Sequence, residues 1–132
     1  MEKYLFSCLK YFIVGIMAFL APIYYALIFV CVLVITDTIT GVMKAGKEKV
    51  LDIKSKKFFA FVPKASIYLL FVILAQFGTL VLDKSIPFVK LAVFGVSWIE
   101  IKSIDENFRS IWGFSFLDKV LESVKYISNL RK

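Results

Sequence analysis

Long apolar runs alternate with short charged segments along this chain, and the runs have the length of membrane-spanning helices. Residues 22–43, 63–82 and 88–104 form three such runs. At about 1.5 Å per residue the first covers about 33 Å, which suffices for a hydrocarbon core of about 30 Å. A proline lies at or next to the start of each run, where its missing N–H costs little. The pattern predicts three transmembrane helices in a single membrane domain of residues 1–132.

Two further segments flank these runs. Residues 1–21 are largely apolar but carry Lys10 in their middle, so they form either a short fourth span or an interfacial helix whose lysine reaches the headgroups. Residues 115–132 combine an apolar stripe near heptad spacing with a charged opposite side, and Ser115 is a suitable N-cap. This predicts a cytoplasmic amphipathic helix that packs on its own protein or the membrane, or self-associates. The fold class is an all-α integral membrane protein with three to four transmembrane helices and this C-terminal helix.

The composition agrees with a membrane protein. The chain is 60% hydrophobic with a mean hydropathy of +0.81, whereas soluble chains average roughly 45–50% apolar residues. Cys8 and Cys31 lie in apolar segments without CxxC spacing, and the chain has no histidine. We therefore expect both to be buried free thiols.

Basic residues set the expected orientation. The segment after the first run contains six lysines and two acidic residues, and such a short basic loop stays in the cytoplasm. This distribution explains the net charge of +7 without nucleic acid as a partner. Anionic lipid headgroups are the expected partners of the lysines in this loop, which are Lys44, Lys47, Lys49, Lys54, Lys56 and Lys57.

A carboxylate stands at the end of the first run. An ionised Asp37 near hydrocarbon costs several kcal/mol unless it is paired, neutralised or at the headgroups. Lys64, just after the second proline, lies at the same expected depth and either pairs with Asp37 or snorkels to the headgroups. Thr38 and Thr40 can donate hydrogen bonds to carbonyls of their own helix. Gly41 permits either a close helix crossing or an unwinding of the helix end.

The end of the third run is also polar. Glu100, Ser103 and Asn107 share one helix face, because they are spaced i, i+3 and i+7. This face is either a helix surfacing into water or a polar seam that meets Asp37 and Lys64 across a bundle.

Several kinds of chemistry are excluded by residue type. Without histidine no His-based triad or zinc site can form. Gly41 and Gly46 lack the spacing and the following Lys-Ser/Thr of a phosphate-binding loop. We expect neither an enzyme nor a bound cofactor or metal.

Two motifs in fixed order resemble a known family. Asp37-Thr38-Ile39-Thr40-Gly41 reads as Asp-x-x-Thr-Gly, and residues 100–107 read as Glu-x-x-Ser-x-x-Glu-Asn, with Ser55-Lys56-Lys57 and Lys64 between them. The chain resembles, from about Ile28 to Phe108, the small phage holins grouped with clostridial toxin-secretion holins. By motif match, the resemblance implies functional roles for Asp37, Thr40, Gly41, Lys64, Glu100, Ser103, Glu106 and Asn107.

The resemblance implies a multi-pass protein of the bacterial inner membrane with a cytoplasmic C-terminus. Its partners would be the lipid bilayer and further copies of itself, and its oligomers would form lesions that release an endolysin or a toxin. Two alternatives remain from the residues. The chain could be a non-lytic anchor or scaffold that docks an assembly through its C-terminal helix, or a small ion or proton channel that uses Asp37 and Glu100.

Overall fold

The computed structural model describes residues 2–47, 59–82 and 85–130, and these residues form helices joined by short turns with no strand among them. The helices are α1 (Glu2–Leu20), α2 (Tyr24–Lys47), α3 (Phe61–Val81), α4 (Phe88–Trp112) and α5 (Phe116–Leu130), with a 3-10 turn at Ala21–Ile23 between α1 and α2. The all-helical class is confirmed.

A bundle of α2, α3 and α4 forms the centre of the fold. Its buried core is small and rich in β-branched side chains, with Val30, Val34, Val72 and Val96 at the centre. Large apolar side chains such as Leu70 and Phe94 instead point outward and are exposed. So much exposed apolar surface is unfavourable in water and suits a lipid environment.

The three helices run alternately up and down. α2 packs most extensively on α4, and α3 packs on both. The Lys47 ammonium, at the end of α2, donates a hydrogen bond to the Ile111 carbonyl near the end of α4. The ends of α2 and α4 therefore lie side by side, next to the start of α3.

Two stretches of the described residues are long and apolar enough to cross a membrane. They are the 45-residue stretch Lys3–Lys47, with a mean hydropathy of 2.6 over its most apolar part, and Phe61–Val81, with 1.7. α4 is more polar because Lys90, Glu100 and Lys102 interrupt its apolar run.

The helices extend beyond the apolar runs. α2 continues to Lys47 and α4 to Trp112, because their polar ends pack on each other instead of fraying. α2 is helical through Gly41, so the alternative prediction that the helix unwinds at this glycine is wrong. α3 begins at Phe61, which places Pro63 in its first turn. N–H groups there have no partner within the helix, so the missing N–H of proline costs no helical hydrogen bond.

Most of α1 lies off the bundle. Only its C-terminal end packs closely, where the Phe19 and Phe77 ring centroids are 4.5 Å apart. Both cysteines are free, but Cys8 is exposed and Cys31 is only partly buried. The expectation of buried thiols is wrong, because it assumed that apolar segments are covered by protein.

A rigid corner joins α4 to α5. Gly113 adopts a left-handed conformation (φ +77°), which favours glycine, and its N–H donates to the Arg109 carbonyl at 2.9 Å. The predicted N-cap is confirmed, because the Ser115 hydroxyl accepts the Asp118 N–H at 3.1 Å. The Asp105 carboxylate stabilises the corner by accepting two hydrogen bonds, from the Ser115 hydroxyl at 2.8 Å and from the Leu117 N–H at 3.0 Å.

These hydrogen bonds make the corner sensitive to acid. Burial alone would raise the pKa of Asp105, but the bonds from Leu117, Ser115 and Phe116 favour the charged form more and hold the pKa below its ordinary value of 3.8. A depressed pKa stabilises the fold above the unfolded-state value, and this stabilisation disappears as pH falls through the folded-state value.

We expect Asp105→Asn to lower the free energy of unfolding by about 1.5–3 kcal/mol at pH 6, the range for hydrogen bonds to a charged group. The difference from the wild type should shrink as pH falls below the ordinary value of 3.8, because the unfolded chain then binds a proton at Asp105 before the folded chain does. Chemical unfolding in detergent micelles at pH 6 and pH 3 measures the difference, with Glu122→Gln, an exposed carboxylate of α5, as the control. A difference in unfolding free energy of the same size at both pH values would contradict the stabilising role of the ionised Asp105.

Candidate functional site

Three helices bring three charged side chains together inside the bundle. The Lys64 ammonium of α3 lies 2.6 Å from Asp37 Oδ2 of α2 and 2.8 Å from Glu100 Oε2 of α4. The side chains of Lys64, Asp37 and Glu100 are 30%, 13% and 0% exposed. We call these three residues the ionic cluster. The pairing of Asp37 with Lys64 that the sequence suggested is present.

Asp37 is held on both of its oxygens. While Oδ2 contacts Lys64, Oδ1 accepts a hydrogen bond from the Asn107 amide at 3.2 Å. The same amide donates to the Thr40 hydroxyl at 3.1 Å, which itself donates to the Asp37 carbonyl at 3.0 Å. Thr38 donates to the Val34 carbonyl at 2.7 Å, as expected for hydroxyls within a helix. Asp37 is therefore fixed by α3, by α4 and by its own helix.

Glu100 is the least satisfied member of the cluster. It is fully buried, and neither carboxylate oxygen accepts a well-aligned hydrogen bond from the described residues. Its contact with Lys64 is an ion pair without hydrogen-bond geometry, and the Tyr68 hydroxyl faces the same carboxylate. Two carboxylates thus share one ammonium, so that a fully ionised cluster carries a net negative charge inside the bundle. Such an arrangement is costly unless its geometry is held by the fold.

The ionic cluster lies deep along the helices. Asp37 is 13 residues from the start of α2 and Glu100 is 12 residues from the start of α4, and both starts lie at the far end of the bundle. At about 1.5 Å per residue these separations are about 18–20 Å, so the cluster lies about halfway along both helices. Charged side chains buried between helices are rarely found without a partner.

A cavity of about 190 Å³ adjoins the cluster. Since a water molecule occupies about 30 Å³ of liquid, this space can hold several. Polar and apolar side chains both line it, namely Asp37, Thr38, Gly41, Ala60, Phe61, Lys64, Ser103 and Asn107. The cavity gives the cluster one side with room for water within an otherwise apolar bundle.

Most residues of the two motifs converge on this site. Asp37, Thr40, Lys64, Glu100 and Asn107 are joined by the contacts above, and Gly41 and Ser103 line the cavity. Glu106 lies elsewhere, because it is exposed on α4. The polar face formed by Glu100, Ser103 and Asn107 therefore turns into the bundle rather than out into water.

The lysines expected at lipid headgroups fall into two groups. Lys44 is partly buried at the end of α2, and exposed Lys47 contacts the Ile111 carbonyl of α4. Lys47 therefore has a protein partner, and its contact with headgroups stays a prediction. Lys49, Lys54, Lys56 and Lys57 lie outside the described residues.

Two polar residues near the site were not found from the sequence. Tyr68 follows Lys64 by four residues, so the shared helix face could have indicated it. Asp105 caps α5 from ten residues upstream, and no local spacing rule indicates such a contact. Within the described ranges no group of three or more His, Cys, Asp or Glu side chains could hold a metal ion.

The fold and the ionic cluster define a helical membrane protein with a polar centre inside its bundle. The family model of the bacteriophage holins matches residues 14–129, nearly the whole chain. The chain therefore belongs to the bacteriophage holin family, membrane proteins of phage-encoded host lysis and not a family of enzymes. No curated protein and no solved structure matches the chain.

Proposed function

We propose that this protein oligomerises in the cytoplasmic membrane of the host and opens lesions through which an endolysin leaves the cytoplasm. The observation that carries the proposal is the ionic cluster, whose Glu100 is fully buried between the helices of the bundle. A stable anchor has no need of a costly charged group there, whereas an opening through the bilayer needs polar side chains to line it.

The proposed topology has three crossings, formed by α2, α3 and α4. The lysine-rich segment after α2 and the C-terminal helix α5 lie in the cytoplasm, as the positive-inside rule requires. α1 is either a fourth crossing or an interfacial helix, since Lys10 at its centre is costly in hydrocarbon and tolerable at the headgroups.

The proposed mechanism follows from where the polar groups lie. In the single bundle they face inward, so the protein presents apolar side chains to lipid and a monomer is tolerated by the membrane. As copies accumulate, bundles can rearrange so that the same polar groups face a shared aqueous opening. Each hydrogen bond between helices in lipid is worth only about 0.6–2 kcal/mol, so several must form together. Opening therefore depends on how many copies meet.

Induced expression in bacterial cells tests the proposal. We expect the membrane potential to remain normal during a delay and then to collapse together with growth, because assembly requires a threshold density. A co-expressed endolysin without its own export signal should then lyse the cells, and the endolysin alone should not. An exported toxin in place of the endolysin would test the secretion alternative with the same readouts.

A normal potential and normal growth at high levels of full-length protein in the membrane would refute lesion formation. That result would favour a scaffold, which uses its polar groups for fixed docking. A collapse of potential that never releases endolysin would favour a small ion or proton channel.

A further inference from the structure

An apolar face of α5 is left uncovered by the protein. Val120, Leu121, Val124 and Ile127 are 42–61% exposed along successive turns, as is Phe116 at the helix start. α5 contacts α4 near the corner and extends away from the bundle beyond it. Among the described residues nothing else packs on this face.

The charges of α5 are arranged around this face in a regular order. At about 100° per residue, the apolar side chains fill an arc of about 140°, with Lys119 beyond one edge and Lys125 beyond the other. The two acidic residues lie between the lysines, with Glu122 opposite the apolar face and Asp118 next to Lys125. Asp118 is further paired with Arg109 at 2.6 Å, so the lysine charges dominate near the apolar face.

The corner between α4 and α5 fixes the direction of α5. Gly113, Ser115 and Asp105 hold the turn through the hydrogen bonds described above. Aromatic side chains surround the corner, where Phe108 and Trp112 pack at a centroid distance of 4.5 Å. The Lys119 ammonium lies 4.2 Å from the centre of the Phe114 ring. Aromatic rings beside lysines are typical of the boundary between headgroups and acyl chains.

We propose that α5 lies flat on the cytoplasmic leaflet, with its apolar face at the headgroup–acyl boundary and its lysines on anionic phospholipid headgroups. Flanking lysines suit phosphate groups on both sides of the helix, since Glu122 lies opposite the face and Asp118 is paired with Arg109. A second α5 suits this face less well, because Asp118, the acidic residue nearest to the apolar face, is already paired with Arg109. This inference does not depend on lesion formation, only on a membrane-embedded bundle.

The test uses the full-length protein with Cys8→Ala and Cys31→Ala, reconstituted in phosphatidylcholine vesicles with or without phosphatidylglycerol. A polarity-sensitive fluorophore is attached at Val124→Cys on the apolar face or at Glu122→Cys on the far side. Iodide, present on both sides of the membrane, quenches labels in water, and spin-labelled lipids quench labels in the boundary region. A label at Ile67→Cys in α3, which is exposed on the bundle, reports separately whether the bundle is embedded.

We expect iodide to quench the Val124 label at least about fivefold less than the Glu122 label, and lipid quenchers to act mainly on the Val124 label. The protection should increase with the phosphatidylglycerol fraction. Lys119→Gln with Lys125→Gln should abolish that increase, and Glu122→Gln, in the background that carries the Val124 label, should leave it in place.

Equal iodide quenching at both positions, with the Ile67 label embedded, would overturn the proposal. Protection of the Val124 label that ignores lipid quenchers and increases with the protein-to-lipid ratio would also overturn it, because a second copy would then cover the face.

Discussion

Replacing Lys64 with methionine is expected to lower the free energy of unfolding by about 3–5 kcal/mol, the usual cost of removing one partner of a buried ion pair. Lys64 is the ammonium within 2.8 Å of both Asp37 and Glu100. Without it, two carboxylates would remain together inside the bundle with no opposite charge beside them. The measurement is reversible unfolding in mixed detergent micelles, followed by helix content.

Two variants make this prediction specific to the ionic cluster. Lys102→Met changes an exposed lysine of α4 and should cost no more than about 0.5 kcal/mol. Adding Asp37→Asn and Glu100→Gln to Lys64→Met removes the uncompensated charges and should restore most of the lost stability. A loss of stability below about 1 kcal/mol in Lys64→Met would show that the cluster does not hold the bundle together. A triple variant that is less stable than Lys64→Met would show the same.

Much of this site could be predicted from the sequence because the bilayer restricts the alternatives. An apolar run of 22 residues allows few structures other than a membrane helix, and successive helices must reverse direction. Asp37, Lys64 and Glu100 therefore fall at related depths before any packing is known. Their cost in hydrocarbon then favours mutual contact over separate exposure to lipid.

Other features depended on contacts that residue spacing does not encode. The sequence left open whether the face containing Glu100 meets water or the bundle, because both directions satisfy the same periodicity. Glu106 belongs to the motif but is exposed, since a motif gives residue order and not helix rotation. α4 continues to Trp112 because its polar end is supported by Lys47 and the corner, whereas hydropathy alone ends the segment at residue 104.

The second large effect expected is a steep dependence of membrane permeability on protein density. A single bundle turns its ionic cluster inward, so isolated copies should leave a bilayer sealed. Because contacts between helices in lipid are individually weak, an opening requires many copies to rearrange together. Permeability should therefore stay near zero at low density and increase sharply above a threshold, instead of growing in proportion to the amount of protein.

The most direct test of lesion formation uses purified full-length protein in vesicles of phosphatidylethanolamine and phosphatidylglycerol. The vesicles are loaded with fluorescent dextran of endolysin size together with a small dye, and release is measured over a series of protein-to-lipid ratios. We predict that both are retained below a threshold ratio and that both escape together above it. Retention of the dextran at every ratio, with verified incorporation of the protein, would contradict the proposed lesion.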